Sequence, residues 1–129
     1  MFKAALREDP RNVSALVNMG CLMYQEDQRY DDAAIKFLDA LAIKPDDEDA
    51  LCNLALALKQ TGDNNKEYAD LAFREAIEIN PNNTFIIENY LFFLLEVRKM
   101  NQFKEVLGQL KFALEEDDVA RIKKVAESY

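Results

Sequence analysis

The chain has 129 residues, half of them apolar and close to a third charged, the composition of one soluble globular or repeat domain. A formal net charge of −8 argues against nucleic acid and anionic membrane surfaces, which want a basic face, and points to basic or neutral partners. The longest strongly apolar run, residues 90–95, is far too short to insert into a bilayer, and the start of the chain is too mixed in charge for a signal peptide.

In chain order, residues 2–10 come first. Phe2, Ala5, Leu6 and Pro10 read as the end of a helix whose hairpin partner is absent. Burying Phe2 or Leu6 would be worth about 1.5–3 kcal/mol each, so this half-helix remnant is expected to meet a preceding repeat of a longer chain or a second copy. In residues 11–45, Val13, Leu16, Met19, Gly20 and Met23 follow the i, i+3, i+4, i+7 spacing of one helix face. A polar turn at Asp27, Gln28 and Arg29 ends it. A second helix carries Tyr30, Ala33, Ala34, Phe37, Ala40 and Leu41, and Pro45 stops it, because proline cannot continue a helix.

Residues 46–81 repeat the scheme. Leu51, Leu54, Ala55 and Leu58 mark the first helix, a turn spans residues 61–65, and Ala69, Ala72, Phe73, Ala76 and Ile77 mark the second before Pro81. Asn64 and Glu67 are placed to cap that second helix. Residues 82–116 hold Ile87, Tyr90, Leu91 and Leu94, a turn near Met100, then Phe103, Val106, Leu110, Ala113 and Leu114; Asp118 stands where the closing proline would be. Residues 117–127 read as a capping helix, with acids at its start and Arg121, Lys123 and Lys124 following, as the helix dipole favours. Val119, Ile122 and Val125 or Ala126 would cover the third unit.

Pro10, Pro45 and Pro81 are each preceded by Phe at eight residues, Ala at five and Leu or Ile at four. A period of roughly 35 residues with this internal order marks stacked helical hairpins. The small residues Gly20, Ala33, Ala40, Ala55, Ala69 and Ala76 recur where paired helices must approach closely.

These positions resemble the tetratricopeptide repeat (TPR) family. Leu16, Gly20, Tyr24, Tyr30, Ala33, Phe37, Ala40 and Pro45 match its pattern, and so do Leu51, Ala55, Gly62, Ala69, Phe73, Ala76 and Pro81. The third unit departs from it, with Leu91 at a small-residue position. The hairpin turns are expected to be one to three residues longer than in the family. The resemblance implies an all-α fold: a right-handed α-solenoid of about three hairpins, with the half-helix remnant in front and the capping helix behind, in one domain over residues 1–129.

No catalytic constellation is present. The chain lacks histidine, so the usual neutral-pH acid–base group is missing, and it has no glycine-rich phosphate loop. Asp46 to Asp49 and Glu115 to Asp118 are dense acidic runs, but neither has the glycine-turned form of a calcium loop. Cys21 and Cys52 are too few for a zinc site and read as reduced thiols of a cytoplasmic protein. No cofactor is expected.

Asn18, Asn53 and Asn89 each lie eight residues after a proline and two after a core-facing Leu or Ile. Two residues turn a helix by about 200°, so the amides should point away from the core. A primary amide donates and accepts at once, as a peptide backbone does. The ladder resembles that of TPR superhelices that bind extended peptides. The same stripe should hold Val17, Cys21 and Tyr24; Asp49, Cys52, Leu56 and Lys59; and Phe85, Glu88, Phe92 and Glu96. Phe85 and Phe92 either line a pocket or pack under the capping helix. The function expected is a protein-interaction scaffold, with no enzyme activity, whose concave groove holds a partner's peptide carrying apolar and basic residues. The alternative is a structural or oligomerisation segment of a larger assembly, packing through its end faces with Phe2 and Leu6.

Overall fold

Each hairpin begins with the same local device. Two residues after each proline stands a short polar side chain that accepts a hydrogen bond from the backbone three residues on. In the computed structural model, which describes residues 12–129, Asn12 accepts from the Ala15 N–H at 2.9 Å, Asp47 from Ala50 at 2.9 Å and Asn83 from Ile86 at 3.3 Å. Each cap is worth about 1 kcal/mol. They open helices α1 (Val13–Gln25), α3 (Glu48–Gln60) and α5 (Thr84–Glu96). The returning helices are α2 (Tyr30–Ile43), α4 (Lys66–Ile79) and α6 (Met100–Leu110), and α7 (Glu116–Ala126) follows. Among the described residues there is no strand. Phe2 and Leu6 lie outside the described residues.

The turns differ in chemistry. The first contains Gln28 at φ 51°, the second Gly62 at φ 136° and the third Arg98 at φ 62°. At the end of α5 the Lys99 N–H donates to the Leu94 carbonyl at 2.9 Å and the Arg98 N–H to Leu95 at 3.0 Å. That pair of bonds is the left-handed helix stop that usually takes glycine. In the second turn, a 3-10 segment Asp63–Asn65 runs directly into α4. Asn64 therefore sits inside this turn and not at the cap position expected of it. The neighbouring Asn65 amide donates to the Thr61 hydroxyl at 2.7 Å, and Lys66 pairs with Asp63 at 2.9 Å.

The described chain divides into two compact units, the first ending at Ile79 and the second running Asn80–Tyr129. In the first, α1 pairs with α2 and α3 with α4, while α2 packs on α3. Phe37, 1 % exposed, is the centre of a core with Ala33, Ala34, Leu54 and Ala57. The small residues Ala33, Ala40, Ala55, Ala69 and Ala76 are fully buried. Gly20 shows why size is limited there: a Cβ on it would lie 2.5 Å from Phe37 Cε1.

In the second unit α5 is the central helix. Ile86, Ile87, Tyr90, Leu91, Phe93, Leu94 and Leu95 are all buried, so the helix is apolar over most of its circumference, as an enclosed helix must be. Helix α6 packs on it through Phe103 and Leu107. The expected extension of that helix to Leu114 does not occur. It stops at Leu110 and a 3-10 turn, Lys111–Ala113, follows. Gly108, where a Cβ would meet nothing within 4 Å, weakens the last turn of α6 because glycine is a poor helix former. Helix α7 lies against α5, burying Ile122 completely. At its start the Glu115 N–H donates to the Asp118 carboxylate at 3.4 Å.

Candidate functional site

In the first unit the core and the candidate face take different residues of the same helices, Cys52 excepted. Leu16 and Gly20 of α1, and Leu51, Leu54 and Ala55 of α3, are buried. Asn18 is exposed and Asn53 half-buried, so neither amide is enclosed in its hairpin. Val17 and Cys21 are half-buried and lean on the Phe37 cluster. Tyr24 meets Tyr30 edge to face, with ring centroids 4.9 Å apart, so part of its ring braces the first hairpin. Asp49 is on the surface, while Leu56 and Lys59 are half-buried.

Cys52 corrects the expected stripe. It is 2 % exposed and belongs to the core, with no surface to offer a ligand. The cause is the position of α3, which is packed by α1, α2 and α4, so its buried arc is wider than one helix face. Burial, then the charge of Asp49, pushes the Cys52 thiol up to about 12. Burial and Asp49 also raise Cys21. Both thiols are free and held protonated, which makes them poor nucleophiles at neutral pH. Asp49 itself is held above the ordinary carboxylate value, first by partial burial and then by Asp47 and Glu48, against the opposing pull of Lys44.

In the second unit, Phe85 is 61 % exposed on the first turn of α5. Asn89 is half-buried, and its amide donates to the Phe85 carbonyl at 2.7 Å, so one donor is used within its own helix. Phe92 is half-buried and Glu96 exposed. Glu88 differs from expectation: its carboxylate is paired with Arg121 of α7, and its charge is already answered inside the protein. The sequence places Arg121 correctly on a capping helix but holds no local signal for which α5 residue it meets.

The acidic runs act as helix starts. Asp47 caps α3, and Asp118 accepts from the start of α7. Among the described residues no group of three or more carboxylate or thiol side chains could hold a metal ion. No helix among them is long and apolar enough to cross a membrane. A cleft of about 440 Å³ that the sequence pattern does not signal lies between α2 and α4 of the first unit.

A solved structure titled "Functional Characterization of Pseudomonas Aeruginosa pilF" matches this fold with a TM-score of 0.73 and 22% sequence identity, over 98% of this chain and 59% of that one. The chain has an all-α, TPR-like fold. It spans less than two thirds of the length of that solved neighbour. No protein-family model matches the chain, and no curated protein does.

Proposed function

We propose that this chain is a protein-interaction module without catalytic activity of its own, and that it holds a peptide segment of a partner against the faces of its first helices. The observation that carries this reading is the placement of Asn18 and Asn53. Both stand at the same step of their repeats, and both stay out of a core whose buried side chains are apolar. Each amide can serve one N–H and one C=O of an extended chain. Val17 and Leu56 supply apolar contact beside them, and Asp49 supplies negative charge. A peptide with apolar and basic residues fits that surface. Phe85, Asn89 and Phe92 hold the corresponding positions on α5 of the second unit. Two cysteines left as free thiols suit a reducing, cytoplasmic compartment.

Two amides making two hydrogen bonds each are worth about 2–6 kcal/mol before the cost of ordering the peptide. Alone they bind weakly, so the apolar contacts must contribute most of the affinity. The competing assembly reading rests on Phe2 and Leu6, outside the described residues. A peptide array probed with the full chain should select sequences rich in apolar and basic residues. Asn18→Ala combined with Asn53→Ala should then weaken binding to the selected peptides by about tenfold while the melting temperature stays unchanged. A lower melting temperature with intact binding would show that the amides are structural, and the reading would fail.

A further inference from the structure

The α2–α4 cleft is built from residues that the asparagine face does not use. Its floor is Leu41 with Leu51, Leu54 and Leu58 of α3, and its walls are Leu38 of α2 and Tyr68 and Leu71 of α4. These wall residues are 52 %, 62 % and 55 % exposed, so three large apolar side chains converge on one hollow and leave it open to water. A volume of about 440 Å³ lies within the range of binding pockets, roughly 300–1,000 Å³. Scattered apolar side chains on a surface need no explanation, but a converged set over a cleft marks a contact site.

The rim is acidic. Glu75 lines the cleft, and Asp39, Glu67 and Glu78 are exposed on the same two helices. Of the basic residues on these helices, Lys36 of α2 is half-buried, and those of α4 are engaged, Arg74 with Asp70 at 2.9 Å and Lys66 with Asp63 at 2.9 Å. Residues 12–79 as a whole carry fourteen acidic side chains against six basic ones. A second copy would therefore bring the same negative rim against itself, which is costly.

We propose that this cleft docks an amphipathic helix of a partner protein, with leucine-like side chains seated between α2 and α4 and lysine or arginine side chains at the rim. A helix fits better than an extended strand for a physical reason. The cleft is walled by helices whose backbone groups bond internally, and its lining is almost wholly apolar. An extended peptide would leave its own N–H and C=O groups without partners there, whereas a helix satisfies them itself. Apolar anchors at i, i+3, i+4 and i+7 would fill the hollow, and flanking cations would meet Glu75 and its neighbours.

The test uses the full chain and a fluorescein-labelled synthetic helix with leucines at that spacing and lysines elsewhere, read by anisotropy. One companion peptide exchanges the lysines for glutamates, and another has the same composition with a central proline. The helix should bind saturably, the proline-broken peptide about tenfold more weakly or worse. Leu71→Asp should cost about tenfold, and Leu38→Gln should reproduce the loss if Leu71→Asp disturbs folding. Glu75→Lys should weaken the lysine peptide and strengthen the glutamate one. Phe112→Asp, on an exposed side chain of the second unit, should stay within twofold. Equal binding of the broken peptide, or insensitivity to both cleft variants, overturns the proposal. Loss on Asn18→Ala with Asn53→Ala moves the peptide to the other face and overturns it as well. A dimer in sedimentation that Leu71→Asp dissociates assigns the cleft to a second copy instead.

Discussion

Gly20→Ala isolates the contact on which the first hairpin depends. A methyl at this position would sit 2.5, 2.9 and 3.0 Å from three carbons of the Phe37 ring. Carbon atoms rest at about 3.5–4.0 Å, so the ring must retreat by roughly 1 Å. Phe37 is 1 % exposed and enclosed by Ala33, Ala34, Leu54 and Ala57, which leaves it little room to do so. Overpacking of this kind costs about 1–3 kcal/mol. Alanine is also the better helix former, by about 0.8–1.0 kcal/mol, so the net loss should be about 0–2 kcal/mol. A double-mutant cycle removes the ambiguity of that small sum. In a Phe37→Leu background the clash is gone and only the helix preference remains, so Gly20→Ala should stabilise. The coupling between the two changes should be about 1–3 kcal/mol. Urea unfolding followed by circular dichroism measures all four proteins. If Gly20→Ala stabilises equally in both backgrounds, Gly20 and the Phe37 ring are not in close contact and the predicted clash is refuted.

Two further predictions concern buried polar atoms. The Cys52 thiol is raised from 9.0 to about 12 in the folded protein, so the folded state favours the neutral form. The stability this contributes is fully present below 9.0, where the unfolded thiol is also neutral, and is lost as pH rises from there to about 12. Cys52→Ala should flatten the alkaline fall in unfolding free energy, and an unchanged slope would refute the assignment. Gln102 on α6 has a buried Oε1 with no hydrogen-bond partner. An unsatisfied acceptor costs about 1–3 kcal/mol, so Gln102→Leu should raise the melting temperature; a fall would show that this oxygen is solvated.

The helices were readable because their signals are local. Phe37 and Phe73, the alanines around them, and the prolines that stop α2 and α4 each act within one or two turns, and three copies repeat the message. The caps Asn12, Asp47 and Asn83 are equally local signals, each two residues past a proline. What failed depends on neighbours. Cys52 stands next to core-facing Leu51, and one-face periodicity assigns it to the surface, but a helix packed by three others buries it. Glu88 reads as a free acid until α7 arrives with Arg121. Helix α6 stops at Leu110, just past the helix-weakening Gly108, against a periodic apolar pattern that continues to Leu114. Local spacing reports one face of a helix; it does not report how many neighbours that helix will have.

The same difference in neighbours decides where the first unit has surface to spare. Helix α3 is held by α1, α2 and α4, and six of its thirteen residues are buried. What it shows to solvent beside Asn53 is a narrow strip, with Leu56 and Lys59 already half-covered. Helices α2 and α4 bury four residues each out of fourteen. Their outer arcs are broad enough to leave Ile35, Leu38, Tyr68 and Leu71 in water. Exposing four such side chains opposes folding or solubility without any return inside the isolated unit, since nothing among the described residues of that unit covers them. The amide face offers a few weak polar contacts with Val17 and Leu56 beside them, and the α2–α4 face offers a larger exposed apolar area. A partner that uses both would draw its tolerance of sequence from the first and most of its affinity from the second, so Leu71→Asp should cost more binding than the loss of either asparagine.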